Sequence, residues 1–142
     1  MKLRSKHGWV ALLAEQADGE VQMYDFQYVG KGAPGRDLAY VLMCAAATGE
    51  ESFARNVLNA YLTELTPRLE AQGDSPPTWL ALWDSYLLCV ADLGRWMAGW
   101  GWWGQAEMKG MIRGVLDRID GGQLLASEEL YEAAVEREFS HV

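Results

Sequence analysis

Val21-Gln22-Met23-Tyr24-Asp25-Phe26, Gly30-Lys31-Gly32-Ala33-Pro34-Gly35 and Asp37-Leu38-Ala39-Tyr40-Val41-Leu42 follow one another closely, and from the first to the last the hydrophobic period of the chain changes. Val21 and Met23 alternate with Gln22 and Tyr24, as in a strand with one buried face. Residues 9–14 read as a partner strand, and Gln16-Ala17-Asp18-Gly19 carries the Asp-Gly signal of a tight turn, so a hairpin is expected over 9–26. The glycines and proline of 30–35 exclude a regular element and predict a loop over 27–36. From Asp37, a candidate helix cap, apolar residues recur at helical spacing, and helices are expected over 37–138.

Beyond that point the pattern is uniformly helical. Thr48 and Glu51 have capping-box spacing, and Phe53, Val57, Leu58, Tyr61, Leu62, Leu65 and Leu69 lie on one stripe. Gln72-Gly73-Asp74-Ser75-Pro76-Pro77 ends that helix, and either proline suits the first turn of the next. The third helix runs from about Thr78 to Gly99, with Trp79, Leu82, Trp83, Tyr86, Leu87, Val90 and Leu93 facing inward. Gly99-Trp100-Gly101-Trp102-Trp103-Gly104 interrupts it. A fourth helix carries Met108, Met111, Ile112, Val115, Leu116 and Ile119 to a stop at Gly121-Gly122, and Ser127 can cap a last one. The expected class is α+β, mainly α: a short β-hairpin followed by a helical bundle, in one domain over 1–142.

Composition bounds the function. With 142 residues, half of them hydrophobic, the chain can bury one sizeable core. A net charge of −8 opposes phosphate backbones, and the Lys2, Arg4, Lys6 cluster is a short arm, so nucleic-acid binding is not expected. No apolar run approaches a bilayer span, and Trp9-Val10-Ala11-Leu12-Leu13-Ala14 is short for a secretory core, so no membrane partner and a cytoplasmic location are expected. Cys44 and Cys89 sit in apolar runs without metal spacing and read as buried, reduced thiols.

Walker-type loops, zinc spacing and a serine–histidine arrangement are all missing from the sequence. What remains is Asp25, at the exit of a strand ahead of Phe26 and a glycine-rich loop. Such an acid can hold a cation, the strand fixing the carboxylate and the loop leaving room for a phosphate chain; more often a strand-end Asp forms a turn.

Asp25-Phe26-Gln27-Tyr28-Val29-Gly30-Lys31-Gly32 with Arg36-Asp37-Leu38-Ala39-Tyr40 resembles the metal-binding segment of the choline-kinase/aminoglycoside-phosphotransferase superfamily, in its ecdysteroid-kinase-like (CHK kinase-like) branch. Trp79-Leu80-Ala81-Leu82-Trp83-Asp84-Ser85-Tyr86 and Asp92-Leu93-Gly94-Arg95-Trp96 resemble helices of its C-terminal lobe, so the similarity runs from about residue 18 onward. The resemblance implies a protein-kinase-like C-lobe in which Asp25 ligates the Mg²⁺ that bridges the phosphates of ATP. Phe26 and Gln27 would support that site, and Asp37 would be structural. The acceptor would be a hydroxyl on a small metabolite.

The family's His-Gly-Asp loop is altered here: after His7-Gly8 stands Trp9 where the catalytic Asp belongs, and Ala14 takes the place of the metal-binding Asn. Trp cannot accept a proton, and Ala offers no ligand. The nucleotide-binding N-lobe is also lacking, so no catalytic residue is assigned. The expectation is a fragment or degenerate copy of a phosphotransferase, inactive alone. The alternative is a non-catalytic helical module that binds a partner, or itself, through the uncovered surface. Trp79 with Trp83, and Trp96 with Trp100, could form an aromatic cage for a cation, but their spacing reads as core. Trp102 and Trp103, between glycines, are candidate substrate or lobe contacts, and Asp84 and Asp92 read as solvated helix-face charges.

Overall fold

The computed structural model describes residues 12–15, 21–24, 33–44, 51–101 and 106–142, with the backbone alone for 12–15, 21–24, 43–44 and 106–107. Five helices follow two short strands: β1 Leu12–Glu15, β2 Val21–Tyr24, α1 Pro34–Cys44, α2 Glu51–Glu70, α3 Trp79–Gly99, α4 Ala106–Asp120 and α5 Glu128–Glu138.

The expected α+β class, and the kinase-like C-lobe with it, is overturned by this architecture. The described chain is mostly helical, and its buried apolar residues come from the helices and from Phe139, which caps α5. The expected hairpin over 9–26 reduces to a backbone ladder of four residues a side, Leu12 opposite Tyr24 and Glu15 opposite Val21. Two strands of that length cannot form a layer, because three or more with an apolar face are needed for independent stability. The apolar residues at helical spacing are far more numerous, and they build the fold.

Helix α3 is the hub, with α1, α2 and α4 packed against it. Its N-terminus is fixed by Thr78, whose side chain accepts from the Ala81 N–H at 3.1 Å. Pro76 and Pro77 therefore precede the cap and are not in the helix's first turn. Leu82, Trp83, Tyr86 and Val90 turn inward to meet Ala39 and Leu42 of α1, Ala54 and Leu58 of α2, and Met108 of α4. A second cluster joins Val115 and Ile119 of α4 to Ala134 of α5 and Phe139, with Leu87, Leu88 and Ala91 of α3 packed alongside.

Two glycines mark where helices come close. A Cβ on Gly35 would stand 3.0 Å from the backbone of Ser85 and Tyr86, so α1 lies with its first turn against the α3 main chain. A Cβ on Gly94 would run into the Ile112 side chain where α3 crosses α4. At the end of α4, Gly121 and Gly122 take φ values of 63° and 77°, the left-handed conformation that halts a helix.

Two further details depart from the sequence expectation, and a third falls outside what is described. Helix α1 starts at Pro34, inside the loop expected over 27–36, because proline's fixed φ suits a first helical position. Phe53 and Leu116, expected on inward stripes, are exposed. Glu51 opens α2 and pairs with Arg55 at 2.7 Å, while Thr48, its expected capping partner, lies outside the described residues.

Candidate functional site

Asp25, Phe26, Gln27, Trp102 and Trp103, the residues on which the sequence reading placed metal and substrate contacts, lie outside the described residues, as do His7 and Trp9. Asp37 is described. It falls in the first turn of α1, three residues after Pro34, so it cannot be the N-cap; its charge complements the positive end of the helix. Its neighbour Arg36 reaches Asp92 at 4.0 Å, and Asp92 also holds Arg95 at 2.8 Å. All three are exposed, and such pairs are worth little individually. Asp92 is thus the solvated charge that was expected.

Asp84 is not. It is 1% exposed, lying between the inward-facing Trp83 and Tyr86 on α3. The Arg118 guanidinium of α4 forks onto it, Nη1 donating to Oδ1 at 2.7 Å and Nη2 to Oδ2 at 2.8 Å. Nη2 also donates to the Glu138 carbonyl at 3.1 Å, and the guanidinium lies 4.0 Å from the Phe139 ring centroid. His141 Nε2 completes the shell, 2.8 Å from Asp84 Oδ2. The Arg118 hydrogen bonds outweigh the cost of burial and hold the Asp84 carboxyl below its ordinary range; the same bonds raise Arg118. A charge buried this deeply is stable only when paired and hydrogen-bonded.

Beside this cluster runs an open groove of about 210 Å³. Trp83 and Leu87 line it from α3, Gly110, Met111, Gly114 and Arg118 from α4, and Glu51 from the start of α2. The Arg55 guanidinium lies 4.1 Å from the Trp83 ring centroid and also pairs with Glu51. At Gly110 and Gly114 a Cβ would meet no described atom within 4 Å. The missing side chains therefore relieve no clash among the described residues. They hollow the surface of α4.

The remaining reactive groups are muted. Burial pushes the Tyr86 phenol up to about 12, and burial likewise raises the Cys89 thiol, so neither ionises readily near neutrality. Cys89 is half-buried, and only the backbone of Cys44 is described. Among the described residues, no group of three His, Cys, Asp or Glu is gathered to hold a metal ion, so the Mg²⁺ expectation stays with Asp25. No described helix is long and apolar enough to cross a membrane.

The two tryptophan pairs, both expected in the core, separate. Trp83 is buried and stacked on the half-buried Trp79, with centroids 6.1 Å apart. Trp96 and Trp100 are 46% and 72% exposed, which corrects that expectation for them. Sequence reasoning did not single out Arg118, His141, Gly110 or Gly114. One signal was available: Asp84 stands in a run of inward apolar residues, a position that calls for a distant cation.

No protein-family model matches the chain, and comparisons with curated proteins and with solved structures find no match either.

Proposed function

We propose that this chain is a non-catalytic helical binding module whose working surface is the groove between α3 and α4. The observation that carries the reading is the pair Gly110 and Gly114. Each lies inside a helix, where glycine costs about 1 kcal/mol relative to alanine, and neither is needed for close packing among the described residues. Breaks in local helix propensity are expected at functional sites. Here they leave a hollow beside an indole, a thioether and a guanidinium, the mixture of apolar wall and few polar groups that small-molecule sites share.

Titrating ¹⁵N-labelled protein with indole tests this. The amide resonances of Gly110, Gly114 and Leu87 should move together and saturate. Gly114→Leu, whose side chain would occupy the hollow, should abolish the response. Shifts scattered over the surface, or unaltered in Gly114→Leu, would remove the reading.

A second reading takes the chain as a fragment or degenerate copy of a phosphotransferase, inactive alone, and rests on residue pattern. Asp25-Phe26-Gln27 and, twelve positions after Asp25, Asp37-Leu38-Ala39-Tyr40 favour it. The second part forms α1, where Ala39 is fully buried against the α3 core. In this reading Asp25 would hold Mg²⁺, which neutralises charge on ATP phosphates, with an acceptor hydroxyl from a small metabolite. A melting-temperature rise with Mg²⁺–ATP that vanishes in Asp25→Ala is the expected result, since a ligand stabilises the state it binds. A rise that persists in Asp25→Ala would remove Asp25 from the site and this reading with it.

A further inference from the structure

We infer that the groove between α3 and α4 receives a small amphipathic anion, a flat one- or two-ring apolar body whose carboxylate, sulfonate or phosphate head is met by Arg118. The inference deepens the groove reading above and rests on it. Charge complementarity carries the choice of ligand. Three carboxylates lie in or beside the groove, and each is engaged: Glu51 by Arg55 at 2.7 Å, Asp84 by Arg118 and His141, and Glu138, whose charge acts on Arg118, by Arg137 at 2.9 Å. Arg118 is differently placed. Its Nη1 and Nη2 are used on Asp84 and the Glu138 carbonyl, yet its Nε–H has no partner among the described residues, and its side chain is 36% exposed along the groove lining.

A guanidinium has five donors in a fixed plane, so a fork clamped from behind by a buried carboxylate keeps its Nε–H in one orientation. Anion binding then needs little further ordering of that side chain. The other guanidinium, Arg55, lies against the Trp83 ring and is spent on Glu51, so Arg118 alone offers the anion a donor. A cationic ligand would find none of these carboxylates uncommitted. The hollow of about 210 Å³ is smaller than the usual drug-sized pocket, and Trp83, Leu87 and Met111 offer an apolar wall for a flat body.

Three probes of matched shape test the inference on the full chain: 2-naphthoate, 2-naphthalenemethanol and 2-naphthylmethylammonium, each followed through the Gly110 and Gly114 amides. The carboxylate should bind about fivefold or more tighter than the alcohol, the margin of a charged over a neutral hydrogen bond. The ammonium should bind weakest. Raising NaCl from about 50 mM to about 500 mM should weaken the carboxylate and not the alcohol. Gly114→Leu keeps Arg118 and its pair with Asp84 and should block binding while the protein stays folded. Equal affinity for carboxylate and alcohol would overturn the anion assignment and leave the groove reading standing. Undiminished carboxylate binding by Gly114→Leu would also overturn it, by placing the anion elsewhere. Failure of all three probes to move Gly110 and Gly114 would overturn both.

Discussion

Helix α3 and its C-cap carry two tryptophan pairs at the same spacing, and they have opposite fates. Trp79 and Trp83 lie nearly parallel, 18° apart, with Trp83 buried under α2 and α4; Trp96 and Trp100 are tilted by 52° and open to solvent. What differs is the company. At the Trp83 end, α1, α2 and α4 all contribute side chains, and Asp84 ties α3 to Arg118. At the Trp96 end, the last close fit described is Gly94 against Ile112. Spacing within one helix says which residues share a face, and neighbouring helices decide whether that face is covered.

The largest effect should come from Asp84→Ala. It leaves the Arg118 charge without its buried partner, and breaking such a pair costs about 3–5 kcal/mol, read as a lower urea midpoint at unchanged slope. Trp83→Ala should follow at about 3 kcal/mol, because a large aromatic side chain is lost from the core. The acid limb of stability has the same origin. Arg118 holds the Asp84 carboxyl below its ordinary 3.8, so its contribution is whole above that value and is lost as pH falls through the lower native value. Melting temperature should therefore drop below about pH 4 in the parent. Asp84→Asn should flatten that drop, and an unchanged acid limb in this variant would mean that other carboxylates govern it.

Gly110→Ala and Gly114→Ala should each stabilise, by about 0.5–1 kcal/mol, since the added methyl meets open space and the helix gains propensity. Destabilisation would instead show that something packs there. Trp100→Ala, at the exposed end, should move stability by less than about 0.5 kcal/mol, and a larger loss would close the contrast between the two pairs.

Much of the helical body was legible in the sequence. The start of α3 near Thr78, the inward stripe from Leu82 to Val90, and the Gly121-Gly122 stop follow from local chemistry that needs no distant partner. The class was not. Val21-Gln22-Met23-Tyr24 has strand periodicity, but periodicity cannot say whether a strand has enough neighbours to form a layer. The site was less legible still. Asp84 looks like any helix-face acid until Arg118, thirty-four residues away, is folded onto it. A glycine in a helix pattern looks like a mild defect, and only the placement of α3 beside α4 turns two of them into a hollow. Asp25 and Trp102 lie outside the described residues, so that reading stands on residue pattern and resemblance.

Because the helices divide between two apolar clusters, the chain need not open as one piece. The smaller cluster rests on four buried side chains, and α5 contributes one of them from a helix of three turns. Amide protons of α5 should therefore trade with deuterated solvent through an excursion that spares α3. In such an excursion the Glu138 carbonyl and His141 would leave with α5, while the fork between Arg118 and Asp84 stayed shut. That ion pair would be the seam where the fraying stops.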